Sequence, residues 1–512
     1  MQSSNKHLVV LTALFLALSF YPSPGVCDGF KPVRDSHGQV PKTALVETPQ
    51  EALKFWSGEK VAHRTLLLIS PEIGITSIKE TDAALVAGIG ENGNGWDGVL
   101  ARPYPTLTVY PVQPFNYLYA AYAAGMIDRI YWVPPTKLSV GSEPIENFKA
   151  YLKKLYVSDA DLASLKQTRD SIQVTVNGIP ISIYNLKDLP KVKDEAVALI
   201  DLSFFTSLYQ DEVKTPILDM FGSFIETLGS KGLHVSHVVI SRSTGSGHVP
   251  LEYRFIGGYL DTFFARPESI QGGPLPEWRL REQAMYKETF FQTGDVLDLY
   301  RKAVSAAPKD ASLRYALASA YFTEKDGGMM KEELDWAVYL DKGYYTAYTE
   351  FGAYFTVKGY QQASMDFLEA AVRISPDDSR TWETLCDAYK AAGEYKKLSA
   401  TLEKYIAMGY DWPETEGKLA EAYEKQGMHD KAALTYEGAL ARIPKIDRKA
   451  RLSLLLGLAK AYEGNRSIEK ALKTYREAAD AAEDQHMKKQ IQETKIKELQ
   501  EKWAPFMGVT GK

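Results

Sequence analysis

Hydrophobic and polar positions follow two different patterns along this chain of 512 residues. Over 45–265, short apolar runs typical of strands alternate with amphipathic stretches typical of helices. Over 279–485, apolar positions recur at helical spacing with a fixed period. The first pattern predicts an α/β domain with a mostly parallel sheet, and the second predicts an all-α helical solenoid.

The helical part repeats one apolar frame every 34 residues. Aromatic residues mark the period, at Tyr321, Phe355, Tyr389 and Tyr423. A large apolar residue lies four positions before each of them and a small residue three positions before. An alanine follows sixteen positions after three of them, whereas Tyr405 takes that place after Tyr389. Such a period predicts stacked helix–turn–helix units, about six of them over 279–485, with 486–512 as a capping helix and tail.

The frame has a physical reason. A single helical hairpin buries too little apolar surface to offset the entropy of ordering it, so such units are stable only in an array. Small residues are needed where two helices approach closely, and aromatic residues fill the space between pairs. This frame resembles the tetratricopeptide repeat, and the copies over 345–378 and 413–446 match it best. The resemblance implies a solenoid that binds a protein or peptide partner on its concave surface.

The first helix of each unit is expected to line that surface. Counted from the aromatic positions, the residues predicted to face it are Tyr315, Ser319, Arg380, Glu383, Asp387, Lys390, Lys418, Glu421 and Glu424. Their mixed charges suit an extended peptide or protein segment better than an apolar ligand, and a solvated helix face is the alternative for any one of them. The lysine–asparagine set with which some tetratricopeptide proteins bind a C-terminal carboxylate is not found.

The N-terminal pattern is that of an α/β domain. Nearly continuous apolar runs predict strands covered on both faces, as over 65–70, 196–204 and 237–242. Two further β-rich runs flank Asn177-Gly178, which predicts a hairpin. The segment 266–278 is rich in proline and glycine and is predicted to link this domain to the repeats.

Ligands of an open parallel sheet bind at the carboxyl ends of its strands, so the segments there carry the chemistry. The predicted strand ends are Ile69-Ser70-Pro71-Glu72, Trp132-Val133-Pro134-Pro135, the run 200–205 and the run 241–248. A partly overlapping set of segments carries a family resemblance, namely Pro114-Phe115-Asn116-Tyr117, the run 125–134, Asp201-Leu202-Ser203-Phe204-Phe205 and Gly247-His248-Val249-Pro250-Leu251-Glu252. They resemble an uncharacterised family related to the arginase and histone-deacetylase fold. The resemblance implies a metal-dependent amide hydrolase, in which an aspartate–x–aspartate pair and further aspartate or histidine residues hold the metal.

The sequence departs from that ligand pattern. Asp201 remains from the aspartate pair, but Ser203 occupies the partner position and no histidine follows the first strand. Asp201, His248 and Glu72 are the remaining metal candidates, with a turn-capping Asp201 and a surface His248 as the alternative. We therefore expect a degenerate α/β domain with no metal, cofactor or catalytic residues. The alternative function is a metal-dependent amide hydrolase whose repeats recruit substrate.

The N-terminus has the features of an export signal. Lys6 and His7 precede the apolar run 8–20, which is too short to span a bilayer. This predicts a signal peptide over 1–27 and export, with a lipid anchor at Cys27 or an uncleaved anchor as the alternatives. If the source is a diderm bacterium, the predicted location is the periplasm or cell envelope. Since no second long apolar run follows, no integral membrane span is expected after leader removal.

Composition narrows the function further. A formal net charge of -5 and a pI near 6.0 argue against nucleic-acid binding, because phosphate neutralisation needs a basic patch. Of the two cysteines, Cys386 falls at the small-residue position of a repeat and is interpreted as a buried structural thiol. The sequence thus predicts an exported, non-enzymatic scaffold or adaptor with a protein or peptide partner.

Overall fold

The computed structural model describes residues 31–92, 95–102, 110–135, 142–154, 157–192, 194–205, 217–245, 248–289 and 293–507. The predicted signal peptide with Cys27, and the end of the predicted tail, lie outside these residues. The described chain divides into two compact units, one ending at Tyr344 and the other beginning at Tyr345. The first unit holds the sheet and the first helix pairs of the repeat region, and the second holds the later repeats.

The described strands of the first unit form one sheet. They are β1 (Lys42–Val46), β2 (Arg64–Ile69), β3 (Ile127–Val133), β4 (Lys166–Gln167), β5 (Ile172–Val176), β6 (Ile179–Ile183), β7 (Ala196–Asp201) and β8 (Val235–Ser241). Their order is β1-β8-β7-β2-β3-β6-β5-β4. The first six strands in this spatial order, β1 through β8, β7, β2 and β3 to β6, pair in parallel. The remaining pairs are antiparallel, because β5 runs antiparallel to both β6 and β4. The predicted mostly parallel sheet is confirmed, while the arginase/deacetylase likeness stays a prediction.

The central strands are apolar because both of their faces are covered. All six residues of β7 are buried, and in β2 Leu66 and Leu68 point into one core while Leu67 and Ile69 point into the other. This alternation follows from the two-residue period of a strand. The predicted hairpin is also confirmed: β5 and β6 pair around Asn177 and Gly178, whose φ angles of 50° and 83° fit a tight two-residue turn.

Helices cover the sheet on both faces. One core includes residues of α1 (Ala52–Gly58), α2 (Glu80–Asn92), α3 (Tyr117–Ala123), α4 (Ser142–Lys154) and α5 (Asp159–Ala163). The opposite core includes residues of α6 (Ile217–Ser230), α7 (Phe255–Ala265) and α8 (Pro276–Thr289). An α/β layer of this kind places the carboxyl ends of β1, β8, β7 and β2 along one edge.

Helix pairs make up the rest of the chain. In the first unit α8 pairs with α9 (Thr293–Ala306), and α10 (Ala311–Thr323) pairs with α11 (Gly327–Leu340). The second unit contains α12 (Tyr345–Lys358), α13 (Gln361–Ile374), α14 (Ser379–Ala392), α15 (Tyr395–Ala407), α16 (Pro413–Lys425), α17 (His429–Arg442), α18 (Arg448–Gly464) and α19 (Ile468–Ala481). These also pack as consecutive pairs, and each pair packs on the next. The predicted helical repeat of stacked helix pairs is therefore confirmed.

The small-residue position of the repeat lies where two helices touch. A Cβ placed on Gly352 of α12 would come within 2.5 Å of the Leu368 side chain of α13. The equivalent residues Ala318, Cys386 and Ala420 are all buried. Side-chain volume at this position is therefore limited by the partner helix.

The C-terminal segment continues as helix. It comprises α20 (Gln485–Gln490), a π-helical turn (Ile491–Ile496) and α21 (Lys497–Met507). Ile491, Ile496 and Leu499 are buried against the last repeat, so this segment covers its apolar side. Among the residues that the structure describes, no helix is both long and apolar enough to cross a bilayer.

Candidate protein-interaction site

Two neighbouring helices of the second unit, α14 and α16, carry most of the residues predicted to bind a peptide. Asp378 starts α14 as its N-cap, with Oδ1 accepting from the backbone N–H of Arg380 at 3.1 Å. Pro413 starts α16, where its fixed φ and missing N–H suit the first turn. We call the charged residues on this side of the two helices the charged face: Arg380, Glu383, Asp387, Lys390, Lys418, Glu421 and Glu424.

Ion pairs join the charged face from helix to helix. Lys390 Nζ of α14 lies 2.7 Å from Glu421 Oε2 of α16. Lys418 Nζ of α16 lies 3.8 Å from Asp387 Oδ1 of α14. These side chains are at least a third exposed, so each pair contributes only ~0–1 kcal/mol to stability. The structure thus brings together residues that are 31 positions apart in sequence.

The other members of the charged face have local roles. The guanidinium Nε of Arg380 lies 3.3 Å from Asp378 Oδ1, which ties this side chain to the start of α14. The carboxylate of Glu383 accepts a hydrogen bond from Tyr405 Oη of α15 at 3.0 Å. Glu424 is half-buried, and its charge adds to the burial that raises the pKa of Tyr436.

A cavity of about 260 Å³ opens beside the charged face, where α14, α15 and α16 meet. Its lining includes Glu383, Cys386, Tyr405, Trp412, Glu414 and Lys418. Only two of these residues, Glu383 and Lys418, were expected at a binding surface. Cys386 is buried as predicted, and burial raises the pKa of its thiol to about 12, so it lines the cavity as a neutral group.

Sequence reasoning missed the aromatic wall of this cavity. Tyr405 occupies the position where the other repeats have alanine, and that exception was the one available signal. Its ring stacks on Tyr410, with centroids 4.3 Å apart and planes 4° apart, and also on Trp382 at 6.4 Å. Trp412 stands at the rim with 54% of its surface exposed.

The two predicted residues of the first unit are placed differently. Tyr315 of α10 is buried, and its ring stacks on Tyr344 with centroids 5.0 Å apart. Its predicted exposure on a binding surface is therefore wrong, because the ring fills the space between α10 and the turn after α11. Ser319 is half-buried and donates its hydroxyl to the Tyr315 carbonyl at 3.1 Å.

The metal candidates of the α/β domain lie at the carboxyl edge of the sheet. Asp201 is buried at the end of β7; its Oδ1 accepts from the N–H of Ser203 at 2.8 Å, and its Oδ2 accepts from Ser243 Oγ at 2.8 Å. Burial raises the pKa of this carboxyl, and the hydrogen bonds from the two serines oppose the shift. Glu72 and His248 are exposed.

Hydrogen bonds from serine hydroxyls occupy both carboxylate oxygens of Asp201. Ser203, two residues after Asp201, donates its hydroxyl to Asp201 Oδ1. In the described part of the chain, no three histidine, cysteine, aspartate or glutamate residues are grouped to hold a metal ion. By accepting from the backbone N–H and the hydroxyl of Ser203, Asp201 caps the turn after β7.

An arginine that the sequence did not single out organises the neighbouring part of this edge. Arg254 is 1% exposed and donates to Glu47, Thr244 and Asp341. Arg242 adds a second guanidinium, with Nη1 3.0 Å from Asp341 Oδ2. Burial alone would raise the pKa of Glu47 and of Asp341, but the hydrogen bonds and charge of Arg254 lower both below their ordinary values. This network joins the ends of β1 and β8 to the turn after α11.

No family model matches the chain, and no curated protein matches it. Among solved structures, YrrB, described as a TPR protein with an unusual peptide-binding site, is 18% identical over 38% of this chain and 97% of its own, with a TM-score of 0.29. PilF of Pseudomonas aeruginosa is 16% identical over 42% of this chain and 96% of its own, with a TM-score of 0.25. A thermophilic TPR protein of Thermus thermophilus is 24% identical over 36% of this chain and 98% of its own, with a TM-score of 0.21. The helical-repeat architecture rests on the packed helix pairs of this chain rather than on these alignments.

Proposed function

We propose that this protein is an exported scaffold or adaptor that binds a protein or peptide partner through the charged face, and that its α/β domain is not catalytic. The carrying observation is the pairing of Lys390 with Glu421 and of Lys418 with Asp387 beside a cavity. Asp201, whose carboxylate accepts from the hydroxyls of Ser203 and Ser243, supports the non-catalytic part of the proposal. Export rests on the apolar run 8–20 alone.

The charged face suits an extended partner for an energetic reason. Its ion pairs are exposed and weak, so a partner exchanges one of them for a pair of its own at little cost. A pattern of both signs also selects the register of the partner, because like charges that meet on the wrong register repel. Binding through such a face depends on charge and weakens with salt.

Charge reversal on this face tests the proposal. We would capture partners from a cell-envelope fraction with the wild type and with a Lys390→Glu/Lys418→Glu variant, and then rebuild the complex from purified components. We expect the variant to lose the partner. A Lys445→Glu/Lys473→Glu variant is the matched control, since it changes the same total charge at exposed residues elsewhere in the second unit.

A third variant tests whether the partner recognises the positions of the charges or only needs an ion pair to be present. Lys390→Glu/Glu421→Lys keeps an ion pair within the protein but exchanges the positions of the two charges. We expect it to be as stable as the wild type and to bind the partner more weakly. Equal partner recovery by the wild type and the charge-reversed variant would eliminate the charged face as the binding surface.

A further inference from the structure

In the cavity beside the charged face, the aromatic residue Tyr405 orients the acidic residue Glu383. Tyr405 is 3% exposed and is fixed by stacking on Tyr410. Its hydroxyl donates to Glu383 at 3.0 Å, so the carboxylate of Glu383 has a set orientation at the cavity. A carboxylate that accepts from a rigid donor is pre-organised to bind a second donor from a ligand.

The charge of the cavity is not balanced within the protein. In the part of the chain that the structure describes, Glu383 and Glu414 form no ion pair, whereas the nearby Glu416 pairs with Arg442 at 2.5 Å. The one cation of the lining, Lys418, already lies 3.8 Å from Asp387. Two carboxylates therefore face the cavity against one shared ammonium group.

The size and the aromatic rim restrict the occupant further. At about 260 Å³ the cavity lies just below the roughly 300–1,000 Å³ of drug-sized ligand sites, which fits one inserted side chain. Trp412 is 54% exposed at the rim, and an indole face attracts a guanidinium or ammonium group. Carboxylates that share a cavity with an exposed indole favour a cation with an apolar stem.

We infer that the cavity between α14, α15 and α16 takes the side chain of an arginine or lysine from a protein partner; this inference rests on the function proposed above. Glu383, oriented by Tyr405, and Glu414 bind the cationic head, and Trp412 packs on its stem. Lys418, at the same cavity, disfavours a second basic residue next to the first. The cavity thus supplies a sequence preference that the exposed ion pairs alone would not give.

The test begins with peptide selection, because it does not need the natural partner. Random dodecapeptides displayed on phage would be selected on the purified full-length chain and on a Glu383→Gln/Glu414→Gln variant. We expect arginine or lysine to be enriched at one position in peptides from the wild type and not in peptides from the variant. A Glu477→Gln/Glu498→Gln variant, with the same charge change at exposed residues of α19 and α21, should select the same peptides as the wild type.

The best selected peptide then gives a quantitative check by fluorescence anisotropy. Replacing its basic residue with neutral citrulline or norleucine is expected to weaken binding by about tenfold or more, as for loss of a charged hydrogen-bonded partner. The same replacement should have little further effect on the Glu383→Gln/Glu414→Gln variant. Thermal unfolding of each variant confirms that the fold is kept.

The outcomes separate this inference from the proposed function. Peptides that are selected without basic enrichment, or that bind the wild type and the Glu383→Gln/Glu414→Gln variant equally, would overturn the cavity assignment and leave the charged face as a binding surface. Failure to select any peptide that is sensitive to Lys390→Glu/Lys418→Glu would overturn both. Enrichment of acidic residues instead would also overturn the cavity assignment.

Discussion

Replacing Arg254 with methionine is expected to destabilise the first unit strongly. Methionine fills part of the volume but removes every hydrogen bond to Glu47, Thr244 and Asp341. Removing one partner of a buried ion pair typically costs ~3–5 kcal/mol, because the remaining charges stay buried without compensation. The side chains of Glu47 and Asp341 keep 29% and 23% exposure, and Arg242 still contacts them, so we expect a loss near the lower end, about 3 kcal/mol.

The pH dependence of the stability loss in Arg254→Met shows whether the loss comes from the ion pairs with Glu47 and Asp341. Arg254 lowers the pKa of both carboxyls in the folded protein, so its contribution is complete above their ordinary pKa values of about 4. The contribution is lost as pH falls through the lowered folded values, because the unfolded chain then binds more protons. In the Arg254→Met variant burial dominates, and protonation of the acids favours folding. The stability gap between wild type and variant should therefore narrow as pH falls below about 5, and should narrow further below about pH 4, where the wild type itself takes up protons at Glu47 and Asp341.

Urea unfolding followed by tryptophan fluorescence measures this gap, since Trp56, Trp132 and Trp278 are buried in the first unit. Arg169→Met serves as the control, because Arg169 is exposed, and it should change stability by less than about 0.5 kcal/mol. A loss below about 1 kcal/mol for Arg254→Met, or a gap that stays constant with pH, would refute the network as a stabilising element.

Three further predictions concern single positions. Gly352→Ala should lower the unfolding free energy by about 1–3 kcal/mol, because the added methyl group clashes with Leu368. Gly438→Ala, at an exposed helical glycine with open space around it, should raise the unfolding free energy by up to about 1 kcal/mol. Thermal unfolding measures both changes, and shifts of the same sign in the two variants would contradict this reasoning. The Cys386 thiol, with its pKa raised to about 12, should react with an aromatic disulfide at pH 8 far more slowly in the folded than in the unfolded chain, and equally fast reaction would disprove its burial. Elemental analysis of the purified protein should find no stoichiometric zinc or manganese, and the metal content should be the same in the wild type and in Asp201→Ala. Bound metal that is lost on this substitution would instead favour the hydrolase function.

Local periodicity explains which parts of the fold the sequence could predict. The 34-residue period and the small residue before each aromatic are properties of neighbouring helices, and the structure has paired helices at those positions. The hairpin at Asn177 and Gly178 was likewise readable, because its turn needs positive φ at two successive residues. In each case the determining contacts join residues close in sequence.

The candidate site was only partly predictable. Counting along the repeat placed Lys390, Glu421 and Lys418 on one face, and ion pairs do join this face between α14 and α16, whereas binding through it stays a prediction. It failed for Tyr315, since the frame gives a helix face but not what packs on it, and here Tyr344 covers the ring. Tyr405 was visible as an exception, but the cavity it lines also depends on where Trp412 and Glu414 come to lie.

By itself, the sequence determined the element types, the repeat and the serine two residues after Asp201, because these depend on local pattern and residue identity. Only the tertiary structure decided that Asp201 caps a turn, that Arg254 joins Glu47 to Asp341, and that a cavity with unbalanced negative charge opens beside the charged face. Arg254 and Glu47 are 207 positions apart. Contacts over such separations are set by how whole layers pack, and no local pattern in the chain encodes them.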